Sequence, residues 1–236
     1  MPTLDDVLAA ATINPAVVEL APDYRVLLLA VSGITPGPSD ARSEEALIAA
    51  EDAARAAMGE GKVEDLPKVA SWRAAYRAFG AKPQRTRHSL EALLRRVDGG
   101  LPRVNRLTDL YNAVSVRHQI PLGGEDLDRY VGPPRLVRAT GEEAFETTAS
   151  GGPVVEHPEV GEVVWRDDAG VTCRRWNWRQ TTRTALTEET TTALFILDAL
   201  DPLTNVELEA AADELVEHLR ALGPELTVAR RLVTAG

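Results

Sequence analysis

Two segments hold side chains whose types and spacing can do chemistry. The first is LTDLYNAVSVRHQIPLGGEDLDRYVG, Leu107 to Gly132. On a helix, Asp109, Asn112 and Ser115 recur every three residues and so fall along one face, with Arg117 beyond them. The Pro-Leu-Gly-Gly run that follows predicts a turn. Its glycines, Gly123 and Gly124, would let a ligand approach backbone N–H groups. Glu125 and Asp126 would then face the same space as anions. The alternative is purely structural: Asp126 or Asp128 caps the next turn, and Asn112 bonds backbone.

The second segment is GEVVWRDDAGVTCRRWNWRQTT, Gly161 to Thr182. In an extended chain Trp176 and Trp178 share one side, and Arg175, Asn177 and Arg179 share the other. An aromatic face backed by cations stacks the bases of single-stranded RNA. The same pair of tryptophans equally makes a core wedge. Other chemistries are excluded by pattern. There is no Gly-x-x-x-x-Gly-Lys phosphate loop, no Gly-x-Gly-x-x-Gly, no Gly-x-Ser-x-Gly elbow and no His-Glu-x-x-His. His88, His118, His157 and His218 lack ligand spacing and Cys173 is the single cysteine, so neither a metal site nor a cofactor is expected.

The elements that must position these residues divide by half. A helix is expected over Thr3 to Thr12, a turn at Asn14-Pro15 and a strand over Tyr24 to Val31, whose unbroken apolar run predicts cover on both faces. Helices follow: one capped by Ser43 and running to Met58, one from Pro67 to Phe79, one from Leu90 to Val97 begun by Ser89, and one capped by Thr108 and reaching His118. Short strands then dominate, at Leu136 to Ala139, Pro153 to Glu156, Glu162 to Trp165, Val171 to Trp176 and Ala193 to Leu197, with a hairpin turn at Asp168-Ala169-Gly170. Thr204 and Glu207 form a capping box for a helix to Leu222, and Thr227 to Val233 closes the chain as a strand or helical tail. Helices first and strands second predict an α+β fold. Residues 1–68 are expected as an N-terminal α/β extension packed on a main module of residues 69–236.

The chain has 236 residues, 44% of them hydrophobic, and a net charge of −10, which opposes indiscriminate binding of nucleic acid. Yet between Lys68 and Arg138 there are 14 basic side chains against 6 acidic ones, and Arg174, Arg175, Arg179 and Arg183 form a second cluster. Such asymmetry predicts either a polyanion-binding face or arginines paired with the acidic ends of the chain. The longest apolar stretch, Val26 to Val31, is far too short to span a membrane, and acidic Asp5 and Asp6 oppose a secretory signal, so a cytoplasmic protein is expected.

Together these segments resemble the aminoacyl-tRNA editing module of the phenylalanyl-tRNA synthetase beta subunit, over roughly Ala70 to Leu200. The resemblance lies in the D-x-x-N-x-x-S helix, the Pro-Leu turn with its acids, and LVRATGEEAF at Leu136 to Phe145. It is stronger still to free-standing relatives of that module, through Ser89 to Leu94, Tyr111 to Ser115, Gly141-Glu142 and Trp176 to Arg179. The resemblance implies a three-layered α+β module containing a β-sandwich, and hydrolysis of the ester joining a wrong amino acid to tRNA. It implies mischarged tRNA as partner, with neither membrane nor metal. In the synthetase the wrong residue is tyrosine; some free-standing relatives remove canavanine from arginine tRNA. Asn112 matches an asparagine of the editing pocket. Where the synthetase has a histidine after Pro-Leu this chain has Gly123, and the tyrosine-sensing glutamate falls near Ile196, which points to another amino acid. An aminoacyl ester is already activated, so placing water and stabilising an oxyanion is sufficient. Asn112, Ser115, Gly123 and Gly124 are the expected catalytic set. Glu125, Asp126, Glu142, Trp176 and Trp178 are expected on the substrate, Glu125 or Asp126 holding its amino group or a cationic side chain. Arg117, Arg174, Arg175 and Arg179 are expected on RNA. The alternative is a tRNA- or RNA-binding module without catalysis.

Overall fold

The computed structural model describes residues 3–223 and 225–234. In chain order it forms α1 (Leu4–Ala10), β1 (Thr12–Ile13), α2 (Pro15–Val18), β2 (Arg25–Ser32), α3 (Ala41–Met58), α4 (Pro67–Ala78), α5 (Ser89–Leu94), α6 (Arg106–His118), β3 (Leu122–Asp126), β4 (Arg135–Arg138), β5 (Phe145–Ala149), β6 (Gly152–Glu156), β7 (Val163–Arg166), β8 (Val171–Arg174), β9 (Arg179–Gln180), β10 (Thr192–Ala199), α7 (Asn205–Arg220) and β11 (Thr227–Thr234).

Local chemistry sets the helix starts. Thr204 and Glu207 cap α7 reciprocally, as the sequence predicts. In α3 the same device uses Asp40 as cap and Ser43 three residues in, so Ser43 is the partner of the cap. Asn105 rather than Thr108 caps α6, accepting from the Thr108 N–H at 2.8 Å. His88 caps α5 through its ring nitrogen, which moves that helix start one residue ahead of expectation. The Asn14-Pro15 turn is the start of the short helix α2.

Three layers result. One sheet has the order β11-β2-β10-β3, the other β1-β4-β7-β8-β9, and β5 and β6 form a separate hairpin. Along β2, Leu27, Leu29 and Val31 face α6 and α7, whereas Val26, Leu28 and Ala30 face the second sheet through Leu136, Val163 and Trp165. The unbroken apolar run therefore covers both faces of an inner strand, as expected, and the two sheets form a sandwich with helices on one side. Helices α3 to α6 share a further core around Leu47, Leu90 and Val116.

Two expected features differ. The Pro-Leu-Gly-Gly turn is mostly strand: Leu122 to Asp126 pair antiparallel with Leu197 to Ala193 of β10. The expected strand through Trp176 ends at Arg174, because Arg175 and Trp176 adopt left-handed φ values of 48° and 68° and turn the chain. The part of the chain before residue 69 contributes β2, which is hydrogen-bonded along its length to both β10 and β11.

Candidate functional site

Where the two sheets part near α5 they leave a cavity of about 230 Å³. Strand alternation decides what reaches it. Gly123 pairs with Ile196, and both line the cavity; Gly124 pairs with Phe195, which belongs to the helix-side core. Glu125, two residues on from Gly123, lines the cavity as well, and so does Asp198, two residues on from Ile196. Asn112 and Tyr111 enter from α6, Ser89 from α5 and Arg96 from just beyond its end, Trp176 to Trp178 from the turn after β8, and Arg179 and Gln180 from β9.

The electrostatics centre on two buried acids. Glu125 is fully buried, accepts the Tyr130 hydroxyl on Oε2, and has no hydrogen-bond partner for Oε1 among the described residues. Burial raises its pKa to about 7. Asp198, 2% exposed, accepts from the Tyr24 hydroxyl at 2.6 Å and the Asn177 amide at 3.1 Å, and burial likewise raises its pKa to about 7. Asn177 is itself held by the Tyr76 hydroxyl at 2.9 Å. Such a pair suits a bound cation, which would supply the missing counter-charge. Asn112, 6% exposed, makes no side-chain hydrogen bond to another described residue and is free to meet a ligand. Gln180 donates to the Gly124 carbonyl at 3.0 Å, which steadies the wall beside Gly123.

Of the residues singled out in the sequence, Asn112, Gly123, Glu125, Trp176, Trp178 and Arg179 converge on this cavity. The others do not. Ser115 is fully buried and donates to the Ile120 carbonyl at 2.5 Å, which closes the end of α6. Gly124 packs so tightly that an added Cβ would stand 2.7 Å from Leu186 and 2.9 Å from Phe195. Asp126 caps the following turn through the Asp128 N–H and accepts from the Thr190 hydroxyl at 2.9 Å, the structural alternative foreseen for it. Glu142 is exposed away from the cavity, and Arg117 lies 3.6 Å from Glu214 at the far end of α6.

The tryptophans separate. Trp176 has no exposed surface and packs edge-on against Tyr24 and Trp72, with centroids 5.0 and 5.4 Å away. It is the core wedge. Trp178 is half-buried, with the guanidinium groups of Arg175 and Arg179 at 4.7 and 4.9 Å from its ring centre. The arginines are not free charges. Arg174 bonds Glu162 through two nitrogens and Glu156 through a third; Arg179 also reaches Glu156, and Arg183 holds Asp167. Upstream, Arg73 and Arg95 hold the buried Glu91, and Arg103 holds Glu44 and Glu51. Much of the local positive excess is thus paired with acids elsewhere in the chain.

Sequence reasoning missed Asp198, Tyr24 and Gln180. Asp198 did carry a signal, since it is the lone acid in the apolar run Leu194 to Leu200. No comparable signal marks Tyr24, which reaches the site from 174 residues away. Among the described residues no three His, Cys, Asp or Glu side chains gather as a metal-ligand set, and no helix is long and apolar enough to cross a membrane.

No curated protein matches the chain. Among solved structures it is similar to an N-terminal fragment of the phenylalanyl-tRNA synthetase beta-subunit from Pyrococcus horikoshii, with a TM-score of 0.50 and 8% identity. The likeness covers 93% of this chain and 50% of that one, so this chain spans about half the length of the fragment, and at that identity what is shared is the fold. The B3/4 domain model matches residues 71–224, a stretch holding Asn112, Gly123, Glu125, Trp178 and Asp198, and the chain belongs to the B3/4 domain family.

Proposed function

We propose that the chain hydrolyses the ester of a mischarged aminoacyl-tRNA, and that its cavity takes an amino acid with a cationic side chain, canavanine on arginine tRNA being the leading case. The observation that carries the reading is one cavity in which Asn112, Gly123, Glu125 and Asp198 meet beneath Trp178 and Arg179. Its volume of about 230 Å³ is below the roughly 300 Å³ at which ordinary ligand pockets begin, which suits a single aminoacyl group better than a nucleotide.

The chemistry requires little more than position. Water adds to the ester carbonyl, the carbon–oxygen bond to the ribose breaks, and the ribose oxygen takes up a proton. The Asn112 amide orients the water or donates to the developing oxyanion, worth about 10²–10³ in rate for one such donor. Gly123 leaves room for the acyl group beside the Gln180 amide. The α-ammonium and the side-chain cation of the substrate are two positive charges, and Glu125 and Asp198 are two buried acids. The specificity follows from the same strands. Gly123 and Ile196, which by the resemblance above fall at the histidine and near the tyrosine-sensing glutamate of the synthetase module, are register partners. Asp198, one pleat along from Ile196, instead supplies the acid.

Incubating substoichiometric protein with a panel of mischarged tRNAs, canavanyl-tRNA and tyrosyl-tRNA among them, tests the reading. Turnover of the cationic ester with tyrosyl ester spared is the expected result. Stoichiometric binding without turnover of any ester would leave an RNA-binding module instead.

A further inference from the structure

A second cavity, of about 310 Å³, opens on the other side of Arg175, between residues 79–86, which link α4 to α5, and residues 159–162, which precede β7. Its polar side chains are Lys82, Arg85, Thr86 and Arg175, with Glu159 and Glu162. The balance of free charge there is positive. Glu162 is shared between Arg174, which it meets at 2.8 and 2.9 Å, and Arg175, at 3.5 Å, and Glu159, 84% exposed at the rim, lies 3.8 Å from Arg175, so the excess charge rests on Lys82 and Arg85. Lys82 and Arg85 are exposed and have no carboxylate within ion-pair distance among the described residues, in contrast to most arginines of the chain. The carbonyls that end α4 do not oppose an anion, because Tyr76 and Arg77 give theirs to the N–H groups of Ala81 and Gly80.

Arg175 ties this cavity to the first. Its guanidinium bonds the Thr86 hydroxyl and lies 4.7 Å from the ring centre of Trp178, which lines the acyl cavity. The backbone that makes this possible is strained, with φ +48° at Arg175, a conformation rare for a non-glycine residue. A planar ring beside a cationic pocket matches a nucleotide, base on the ring and phosphate among the cations.

We propose that the Lys82–Arg85–Arg175 cavity binds a backbone phosphate of single-stranded RNA whose adjoining base stacks on Trp178. This rests on the proposed function only in taking the strand to be the 3′ end of a tRNA. Such a site reconciles the net charge of −10 with recognition of a polyanion, since it needs only Lys82 and Arg85, without carboxylate partners among the described residues, beside Arg175, and no basic coat.

The test measures binding of a labelled oligoribonucleotide ending in CCA by fluorescence anisotropy across a salt series. Lys82→Ala/Arg85→Ala is compared with the intact protein and with Arg220→Ala, a control at the end of α7. Both test residues are exposed, so the double variant should keep its melting temperature. The expected result is at least a tenfold loss of affinity at low salt for the double variant alone. The slope of log affinity against log salt should also shrink by about 0.7 for the lost phosphate contact. Equal affinity and slope overturn the proposal. Saturable binding of inorganic phosphate that the double variant loses while its oligonucleotide affinity holds also overturns it, in favour of a free-anion site. Failure of the deacylase reading is separable: no tRNA ester would turn over, yet the oligonucleotide loss would persist.

Discussion

At the residue scale, the two acids of the first cavity make the clearest commitments. Their folded pKa values lie near 7, above the ordinary carboxylate range, because burial penalises the charged form. The folded protein therefore holds these protons more tightly than the unfolded chain. The stabilisation is complete below about pH 4 and is lost as pH rises through 7. For Glu125 the loss is on the order of 3 kcal/mol between a pKa of 4.5 and one of about 7. Glu125→Gln keeps an acceptor for Tyr130 and removes the titration, so its melting temperature should gain on the intact protein from pH 5 to pH 8. Thermal melts across that range check this, and parallel curves for the two proteins would refute it. The same variant should lose at least tenfold in turnover of a cationic aminoacyl ester. Asn112→Ala should lower single-turnover deacylation by about 10²–10³ with little loss of stability, since no described residue depends on its amide. Glu125 and Asn112 were legible in the sequence because polar residues at regular spacing met an acid and glycines. Asp198 was hidden inside an apolar strand, where its facing depends on a register that only the paired strands reveal.

At the element scale, β3 shows what local reading captures and what it cannot. Two glycines after a proline favour a turn by propensity, yet ladder pairing with β10 along Leu122 to Asp126 makes a strand of them. The glycines then acquire different reasons. Gly124 is forced by packing: a Cβ would press into Leu186 and Phe195, so Gly124→Ala should cost about 1–3 kcal/mol in urea unfolding. Gly123 faces the cavity, where a Cβ would meet the movable end of Gln180 at 3.0 Å. Gly123→Ala should therefore cost less stability and more substrate affinity. Equal costs in both assays would mean that the strand does not divide its two faces in this way. The start of α7 was legible because the Thr204–Glu207 capping box is decided within four residues, whereas Asp40 and Asn105 cap α3 and α6 three residues ahead of the expected Ser43 and Thr108. The Trp176–Trp178 alternation failed for a non-local reason. The chain leaves the sheet at Arg175 so that Trp176 can fill the space between Tyr24 and Trp72, neither of which is near it in sequence.

At the scale of the molecule, the site is assembled from parts that the family match does not span. The B3/4 match begins at residue 71, but Tyr24 holds Asp198 at 2.6 Å, and β2 is the strand on which both β10 and β11 are registered. The charges follow the same division: Glu44, Glu51 and Glu64 of the first part neutralise Arg103 and Arg95 of the second. Splitting the chain near residue 68 would therefore expose one edge of β10 along eight residue pairs, strip one face of the sandwich core and leave arginines unpartnered. Residues 69–236 expressed alone should show no cooperative urea transition by circular dichroism, and adding a 1–68 fragment should restore one if the strand can dock. A cooperative transition in the truncated chain would mean that residues 1–68 are an accessory layer. In that event Tyr24→Phe, which leaves one oxygen of Asp198 without its donor, would still have to weaken binding of a cationic ester in the full-length protein. If the first part supplies both strand and site, truncation abolishes folding and Tyr24→Phe lowers affinity with the fold intact.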